Sequence, residues 1–521
     1  MDARSQVAAL LTALAIGGER DHDGDGEAEI ASLSLVVEAG ASADAGAPAV
    51  LVWVEDRLLE RDELGPVLEM YAADLAAEGW RVRVERASLH RGDRHQDGRT
   101  LLALREELRA RAAADPAFAG VVLVGAFPEA YLVRNVNWRK KTPLTVRRGT
   151  PNEKTFRDAV PYLRTVPEGV AHTCDLVLAD LDGRWGELYA QPRERLPTVT
   201  AVFPGGVPDR GGITPDFDRG HVTFEDFFHV NDGHLDVREV LGDDDALTGL
   251  HVIPRDGDSD GECAPADLER PNRIARPEIS VSRINARGVA DDLEHELALL
   301  TAYFARNHAY RTGAHDVPHR PASLAHDLRS GYGVVTRASS RWEDADPGSL
   351  DIHGKPTLDD ARDWFARPAV LRTIRAHSDR WGSQLEKGKL DAKVMRRLFD
   401  DGVTGNGASF YLHTGCEAIS PAHAERRPWH HSDYGRANGA AATFFFGDGL
   451  ALIGRAKVFY DEPPGFCEAL AAGKTVGDAW RGTFEIESKA ASWREVGGDI
   501  GRKRTYFWSL LGDWTLRLRA P

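Results

Sequence analysis

Short apolar runs alternate with helix-like stretches along the first quarter of the chain. Ala49–Val54 is a β-branched run that indicates a buried strand, and Leu59–Glu78 follows it with apolar residues at helical spacing. A second such pair, Trp80–Val84 and Leu101–Ala113, precedes the fully apolar run Gly120–Gly125. This βαβαβ alternation predicts a parallel sheet with helices on both of its faces.

The second half of the chain continues the alternation. Pro277–Asn285 indicates a strand, Asp291–Asn307 an amphipathic helix, and Leu324–Leu328 the start of a second α/β unit. Two apolar runs in this unit, Leu371–Ser378 and Ala408–Cys416, each end in a reactive side chain among small, turn-forming residues. We therefore predict an α/β fold in which helices cover both faces of a mostly parallel sheet.

We expect the chain to divide into three segments. We expect an N-terminal helix and acidic linker at residues 1–44, an α/β subdomain with a loop-rich insertion at 45–287, and a second α/β subdomain at 288–521. Val7–Ile16 lacks the basic head and the cleavage site of a typical signal peptide. An amphipathic first helix and a cytoplasmic location are therefore favoured over secretion.

Composition and charge narrow the classes of protein. Apolar residues make up 42% of the chain and charged residues 28%, as in soluble globular proteins. No apolar run approaches the ~20 residues of a membrane span. The net charge of −16 gives no support for nucleic-acid binding. The four cysteines lack CxxC spacing, so neither a zinc site nor a disulfide framework is indicated.

The two reactive strand ends are His377 and Cys416, and we expect both at the carboxyl edge of the sheet, where open α/β folds carry their sites. A thiol becomes a strong nucleophile when it loses its proton, which an adjacent imidazole promotes. The backbone amides of Ser378 and Cys416 are the candidate oxyanion donors. The alternative is that Cys416 is a small buried hydrophobe and His377 a structural, hydrogen-bonded residue.

Other residues near this pair are candidates to assist or compete with it. Asp327 is the candidate third group that orients the imidazole, with Glu343 as the alternative. His413, three residues before Cys416, is a competing base, although strand alternation places residues at odd spacing on opposite faces. The charge of Glu417 would oppose thiolate formation unless its side chain points away.

Two acidic stretches suggest structural calcium, which takes six to eight oxygen ligands. The first reproduces the DxDxDG opening of a calcium loop, and the second is a carboxylate-rich turn. The candidate ligands are Asp256, Asp258, Asp260 and Asp267 in the first stretch and Asp180 and Asp182 in the second. A solvated acidic loop and an ordinary Asp-Gly turn are the respective alternatives. No organic cofactor is indicated.

Several short motifs follow one another from about residue 45 to the end of the chain. In order they are GVVLVG, CDLVLADLDG, RPEISVSRINAR, AHSDRWG, YLHTGCE, GLALIG, GKTVGDAW and FWSLLGDWTLRL. In this succession the chain resembles the gingipain family of caspase-like cysteine peptidases. The histidine also precedes the cysteine, as in caspases, whereas papain-like enzymes have the reverse order.

The resemblance implies a caspase-like fold of three α/β/α layers with mostly parallel sheets and two subdomains. It also implies a dyad formed by His377 and Cys416 in a catalytic subdomain at 288–521, and bound calcium. Ser378 departs from the family, which has Gly there, and its Cβ would crowd the substrate groove. We expect a cysteine endopeptidase that cleaves a protein or peptide substrate through a thioester at Cys416. The alternative is an inactive pseudo-peptidase with a binding or regulatory role, since fold alone does not give function.

Overall fold

The computed structural model describes nineteen stretches of the chain. They are residues 19–22, 26, 28–40, 46–89, 98–128, 130–135, 169–183, 232–237, 250–256, 276–287, 289–315, 321–325, 350–352, 354–379, 382–403, 409–419, 447–456, 462–488 and 504–519.

The described residues form eighteen strands and eight α-helices. The strands are β1 Ile30–Ala39, β2 Ala49–Glu55, β3 Arg81–Leu89, β4 Phe118–Val124, β5 Ala130–Asn135, β6 Gly169–Thr173, β7 Asp232–Val237, β8 Leu250–Asp256, β9 Ser280–Ile284, β10 Pro321–Ala325, β11 Leu350–Ile352, β12 Leu371–Arg375, β13 Ser378–Asp379, β14 Gly382–Gln384, β15 Lys389–Asp391, β16 Ser409–His413, β17 Gly449–Arg455 and β18 Trp508–Gly512. The helices are α1 Gly65–Ala77, α2 Gly98–Ala114, α3 Leu176–Ala179, α4 Leu293–Thr312, α5 Leu358–Ala366, α6 Ala392–Asp400, α7 Phe466–Ala471 and α8 Val476–Ser488.

Local side chains fix the ends of the helices in the second half of the chain. Asp292 caps α4 by accepting the amide of His295, and Gly313 ends that helix with a φ of 80°. Thr357 and Asp360 form a capping box at the start of α5. The two N-terminal caps satisfy amides that the first helical turn leaves without intrahelical partners.

The main sheet has eleven strands in the order β1-β3-β2-β4-β9-β18-β17-β16-β12-β10-β11. β3, β2, β4 and β9 run parallel to one another, and so do β17, β16, β12, β10 and β11. β1 is antiparallel to β3, and β18 is antiparallel to β17. β18 also pairs with β9 at Leu511 and Arg283, so the last strand joins the two parallel sets. The predicted α/β fold with a mostly parallel sheet is confirmed.

Helices cover both faces of this sheet near β16. Tyr310 of α4 packs edge-on against Phe410, with ring centroids 5.6 Å apart. Trp364 of α5 contacts the ring of Tyr411, the next residue of the strand, at 6.1 Å. Because successive side chains of a strand point to opposite faces, α4 and α5 lie on opposite sides of the sheet.

Two smaller sheets accompany the main one. β13, β14 and β15 form an antiparallel sheet directly after His377. β6, β5, β8 and β7 form a four-stranded sheet from the segment in which a loop-rich insertion was expected. The first of these sheets matters for the site, because it begins at Ser378 and holds the loop that contains His377.

The C-terminal segment closes the core between the two parallel sets of strands. Trp514 is buried, donates its indole N–H to the Val121 carbonyl at 3.0 Å and packs edge-on against Trp80. Asp513, also buried, accepts hydrogen bonds from Asn307 and Arg311 of α4. α4 is thereby tied to the end of the chain as well as to the sheet.

Two features of the fold differ from the sequence analysis. β1 lies within residues 1–44, where only a helix and a linker were expected, and the strand expected to begin at Leu324 begins at Pro321. The division at residues 45–287 and 288–521 stays a prediction. No helix among the described residues has both the length and the apolar character that crossing a membrane requires.

Candidate active site

Two neighbouring parallel strands carry the candidate catalytic residues. β12 and β16 pair with Ile374 opposite His413, and the Thr414 amide extends the pairing by donating to the Ile374 carbonyl at 2.9 Å. His377 and Cys416 each follow three residues after this aligned pair. Because parallel strands end at the same edge, the two loops leave the sheet side by side.

The two loops touch next to both candidate residues. A Cβ atom added to Gly415 would lie 2.2 Å from Ser378 Oγ and 2.7 Å from Ser378 Cβ. Real Cβ contacts do not approach this closely, so only glycine at position 415 permits the contact. The residue after His377 therefore packs on the residue before Cys416.

Exposure distinguishes Cys416 from the other described cysteines. Its side chain is half-buried, whereas Cys174 and Cys467 are buried, and burial raises the pKa of both of those thiols far above the ordinary value. A thiol that stays protonated is a poor nucleophile. His377 is exposed, two residues after β12 ends. Cys263 lies outside the described residues.

His413 is a buried, neutral residue and not a competing base. It is 2% exposed, and burial together with the charge of Arg455 lowers its pKa to about 3. Its Nδ1 accepts the Gly415 amide at 3.1 Å, and its Nε2 lies 2.9 Å from the hydroxyl of Ser383. An imidazole held neutral in this way cannot accept a proton from a thiol at neutral pH.

Backbone pairing in the His377 loop leaves the Ser378 amide, one of the two predicted oxyanion donors, unused by β14. The Gln384 amide donates to the His377 carbonyl at 2.7 Å, which makes Ser378 and Ser383 a non-hydrogen-bonded pair of the β13–β14 hairpin. In such a pair the amide points away from the partner strand, so β14 does not use the Ser378 N–H.

The residue after Cys416 has an unusual backbone conformation. Glu417 has a φ of 50° and is the one described non-glycine residue with positive φ.

Two buried arginines and the partly exposed Glu462 interact near the ends of β12 and β17. Arg375 ends β12 and Arg455 ends β17, so they flank the strand that leads to Cys416. Burial raises the pKa of Glu462 to about 7, although the charges of both arginines oppose the shift. Arg455 also donates to the Thr414 carbonyl and stacks over the Trp508 ring, which holds the turn before Cys416 in place.

No protein-family model and no curated protein sequence matches the chain. Among solved structures, it is similar to separase from Saccharomyces cerevisiae, in the crystal structure of the separase–securin complex. The identity is 14%, the TM-score is 0.26, and the match covers 45% of this chain but only 14% of the separase chain. A TM-score this low supports no inference about fold or function.

Several predicted site residues lie outside the described residues. Asp327 and its alternative Glu343 belong to this group, as do three of the four ligands of the predicted calcium loop, Asp258, Asp260 and Asp267. Asp256, the first residue of that loop, is the last residue of β8 and pairs with Asp232 and Gly233 of β7. The roles assigned to these residues stay predictions.

The second predicted calcium position brings three carboxylates together. Ligand atoms of Asp180, Asp182 and Glu278 lie within 4.8 Å of one another, with Asp180 buried and the other two exposed. Although the Glu278 residue is exposed, partial desolvation of its carboxyl group raises its pKa, and so does the charge of Asp182, a repulsion that a bound cation would relieve. Glu278 comes from the segment before β9, so no local sequence pattern links it to the two aspartates.

Backbone carbonyls of the turn at Asp180 and Asp182 already accept hydrogen bonds from an arginine. The buried guanidinium of Arg105 donates to the carbonyls of Asp180, Leu181 and Gly183 at 2.8, 3.1 and 2.6 Å. A cation at the carboxylates would take its remaining ligands from solvent, since these carbonyls face Arg105. The side chains fit a hard divalent cation in part, and calcium binding stays a prediction.

Proposed function

We propose that the chain is a cysteine endopeptidase of the gingipain-like group, with Cys416 as nucleophile and His377 as base. The observation that carries the proposal is the parallel pairing of β12 and β16, which brings the His377 and Cys416 loops into contact at Ser378 and Gly415. The half-buried thiol of Cys416 supports the assignment of the nucleophile.

The proposed reaction begins when His377 removes the thiol proton. The Cys416 sulfur attacks the scissile carbonyl carbon, and the oxyanion that forms accepts hydrogen bonds from the amides of Ser378 and Cys416. The tetrahedral intermediate then collapses and the C–N bond breaks, while the His377 imidazolium protonates the departing amine. Water attacks the resulting thioester with His377 as base, which releases the carboxylate product and restores the thiol.

Serine in place of the family's glycine led us to expect that the side chain of Ser378 would crowd the substrate groove. The hydrogen bonds of this side chain argue against such crowding. Its hydroxyl is directed into the loop, where it lies 3.2 Å from the Ala376 carbonyl and 3.0 Å from the hydroxyl of Ser383. The side chain is therefore engaged by its own hairpin. This geometry favours the peptidase over the inactive alternative.

A peptide library digested by four purified proteins tests the proposal. Wild type, Cys416→Ala, His377→Ala and the control Cys467→Ala are incubated with reductant, with and without calcium, and new termini are read by mass spectrometry. Cuts should be absent with Cys416→Ala, fall by a factor of about 10² or more with His377→Ala, and persist with Cys467→Ala, whose thiol is buried in the core. Folded wild type that makes no cuts would favour the pseudo-peptidase, and cuts that survive Cys416→Ala would exclude this nucleophile.

A further inference from the structure

An unbroken series of hydrogen bonds links the loop of Cys416 to the loop of His377. It runs from the Gly415 amide to His413 Nδ1 (3.1 Å), from His413 Nε2 to Ser383 Oγ (2.9 Å), from Ser383 Oγ to Ser378 Oγ (3.0 Å) and from Ser378 Oγ to the Ala376 carbonyl (3.2 Å). We call these residues the Ser–His relay. Its two ends are adjacent to Cys416 and His377 in the chain.

The direction of every bond in the relay is determined. The Ala376 carbonyl only accepts, so the single hydroxyl proton of Ser378 is donated to it and Ser378 must accept from Ser383. Ser383 has then used its own proton, so it accepts from His413 Nε2–H. Nε2 protonation leaves Nδ1 free to accept, and the Gly415 amide supplies that donor. No bond in the series competes with another for a proton.

We propose that the Ser–His relay sets the separation of the His377 imidazole from the Cys416 thiol, which makes His413, Ser383 and Ser378 positioning residues. The inference rests on the proposed function, since it assigns these residues a task in thiolate formation. Ser383 and His413 are buried, and Ser378 packs against Gly415. Moving the two loops apart would lengthen a hydrogen bond of the relay, and moving them together would press Ser378 onto Gly415.

The neutral imidazole of His413 can make both hydrogen bonds that the relay requires of it. A neutral imidazole is both a donor and an acceptor, whereas an imidazolium would present two N–H groups and oppose the Gly415 amide. Burial and the Arg455 charge keep the ring neutral over the range in which a cysteine peptidase works. Because Ser378 supplies the last hydroxyl, this chain uses the side chain at the position where the gingipain-like pattern has glycine.

The test is the pH dependence of alkylation at Cys416, measured with iodoacetamide and read by mass spectrometry on the peptide that contains Cys416. Wild type is compared with Ser383→Ala, Ser378→Ala and Ser383→Thr, which retains a hydroxyl. Ser509→Ala is the matched control, because Ser509 is also buried in a strand and its hydroxyl has no hydrogen-bond partner among the described residues. His377→Ala measures how much of the thiolate depends on the imidazole.

We expect a wild-type midpoint below the ordinary thiol pKa of ~8.5 that rises in His377→Ala. Ser383→Ala and Ser378→Ala should each raise the midpoint by about one pH unit and slow alkylation at pH 7 by about tenfold. Ser383→Thr and Ser509→Ala should keep the wild-type midpoint. Circular dichroism of each variant shows that it is folded, and Ser378→Ala covers the case in which Ser383→Ala does not fold.

Two different failures are separable. If His377→Ala shifts the midpoint but both relay variants keep the wild-type midpoint and rate, the positioning role is wrong and the proposed dyad stands. If His377→Ala leaves the midpoint unchanged, the dyad itself is wrong, and the relay is a structural link with no part in thiolate formation.

Discussion

At the scale of single residues, the candidate site depends on the absence of a side chain at Gly415. We predict that Gly415→Ala destabilises the fold by about 1–3 kcal/mol, because the added methyl would meet Ser378 Oγ at 2.2 Å and His413 at 2.7 Å. Thiol reactivity at Cys416 should fall with it, as the two loops are pushed apart. Urea denaturation and iodoacetamide kinetics measure both effects.

A second substitution and a control make that prediction specific. Ser378→Gly removes the atoms that the new methyl meets in the His377 loop, so the double variant should recover part of the lost stability. Gly482→Ala is the control: no atom lies within 4 Å of its added Cβ, and it lies inside α8. That change should be neutral or stabilising by about 0.5–1 kcal/mol. Additive effects of Gly415→Ala and Ser378→Gly would contradict the direct contact.

Glu462 gives a second prediction at this scale, in the pH dependence of stability. Its pKa is raised by burial to about 7, so its stabilising contribution is complete below about pH 4.5 and is lost as the pH rises through about 7. Glu462→Gln should therefore be about 1–3 kcal/mol more stable than wild type at pH 8 and equal to it near pH 4. Thermal unfolding at both pH values checks this, with Glu69→Gln on the exposed surface of α1 as control. A constant difference between variant and wild type at all pH values would contradict the assignment.

At the scale of elements, β12, β16 and β17 are held together at their amino ends by one buried ion pair. Arg372 of β12 pairs with Asp448, which precedes β17, at 3.1 Å. Asp448 also accepts the hydroxyls of Ser409 at 2.8 Å and Tyr411 at 2.5 Å, both from β16. Arg372 donates in addition to carbonyls at the end of α5. Strand register at the candidate site is thus fixed from the opposite end of the strands.

We predict that Asp448→Asn costs about 3–5 kcal/mol, because it leaves Arg372 buried without its counterion. Burial alone would raise the pKa of Asp448, but Arg372 and the hydroxyl donors hold it below the ordinary value. The carboxylate therefore stabilises the fold above about pH 4, and its contribution is lost as the pH falls further. The difference between Asp448→Asn and wild type in guanidinium unfolding should shrink accordingly at acidic pH.

The matched control for this pair is Asp401→Asn. Asp401 pairs with Arg362 at 3.0 Å, but both side chains are exposed. An exposed ion pair contributes about 0–1 kcal/mol, so the control should change stability little. Equal effects of Asp401→Asn and Asp448→Asn on the free energy of unfolding would contradict the prediction that burial makes the Arg372 pair more important for stability.

At the scale of the whole molecule, one continuous sheet spans the two expected subdomains, with the C-terminal strand between them. Any ligand that binds only the folded chain therefore stabilises both parts through mass action. Calcium at Asp180, Asp182 and Glu278 should raise the melting temperature by several degrees in millimolar calcium, and a chelator should reverse this. Isothermal calorimetry measures the binding directly.

The calcium prediction has its own control in the exposed aspartate of the cluster. Asp182→Asn should abolish the calcium-dependent shift while leaving the melting temperature in chelator unchanged within a degree or two, since the side chain is exposed. A shift that survives in Asp182→Asn would move the predicted calcium to another position, such as the loop that begins at Asp256.

The sequence by itself determined the α/β class and most strands near the site, because alternation of apolar runs and helical spacing is a local property. It also placed His377 and Cys416 at strand ends. Only the tertiary structure decided which residues surround them. Ser383 meets His413 across 30 residues, and Glu278 approaches Asp182 across nearly a hundred. Such contacts follow from the order of strands in the sheet. That order depends on packing of the whole sheet and leaves no local pattern in the sequence.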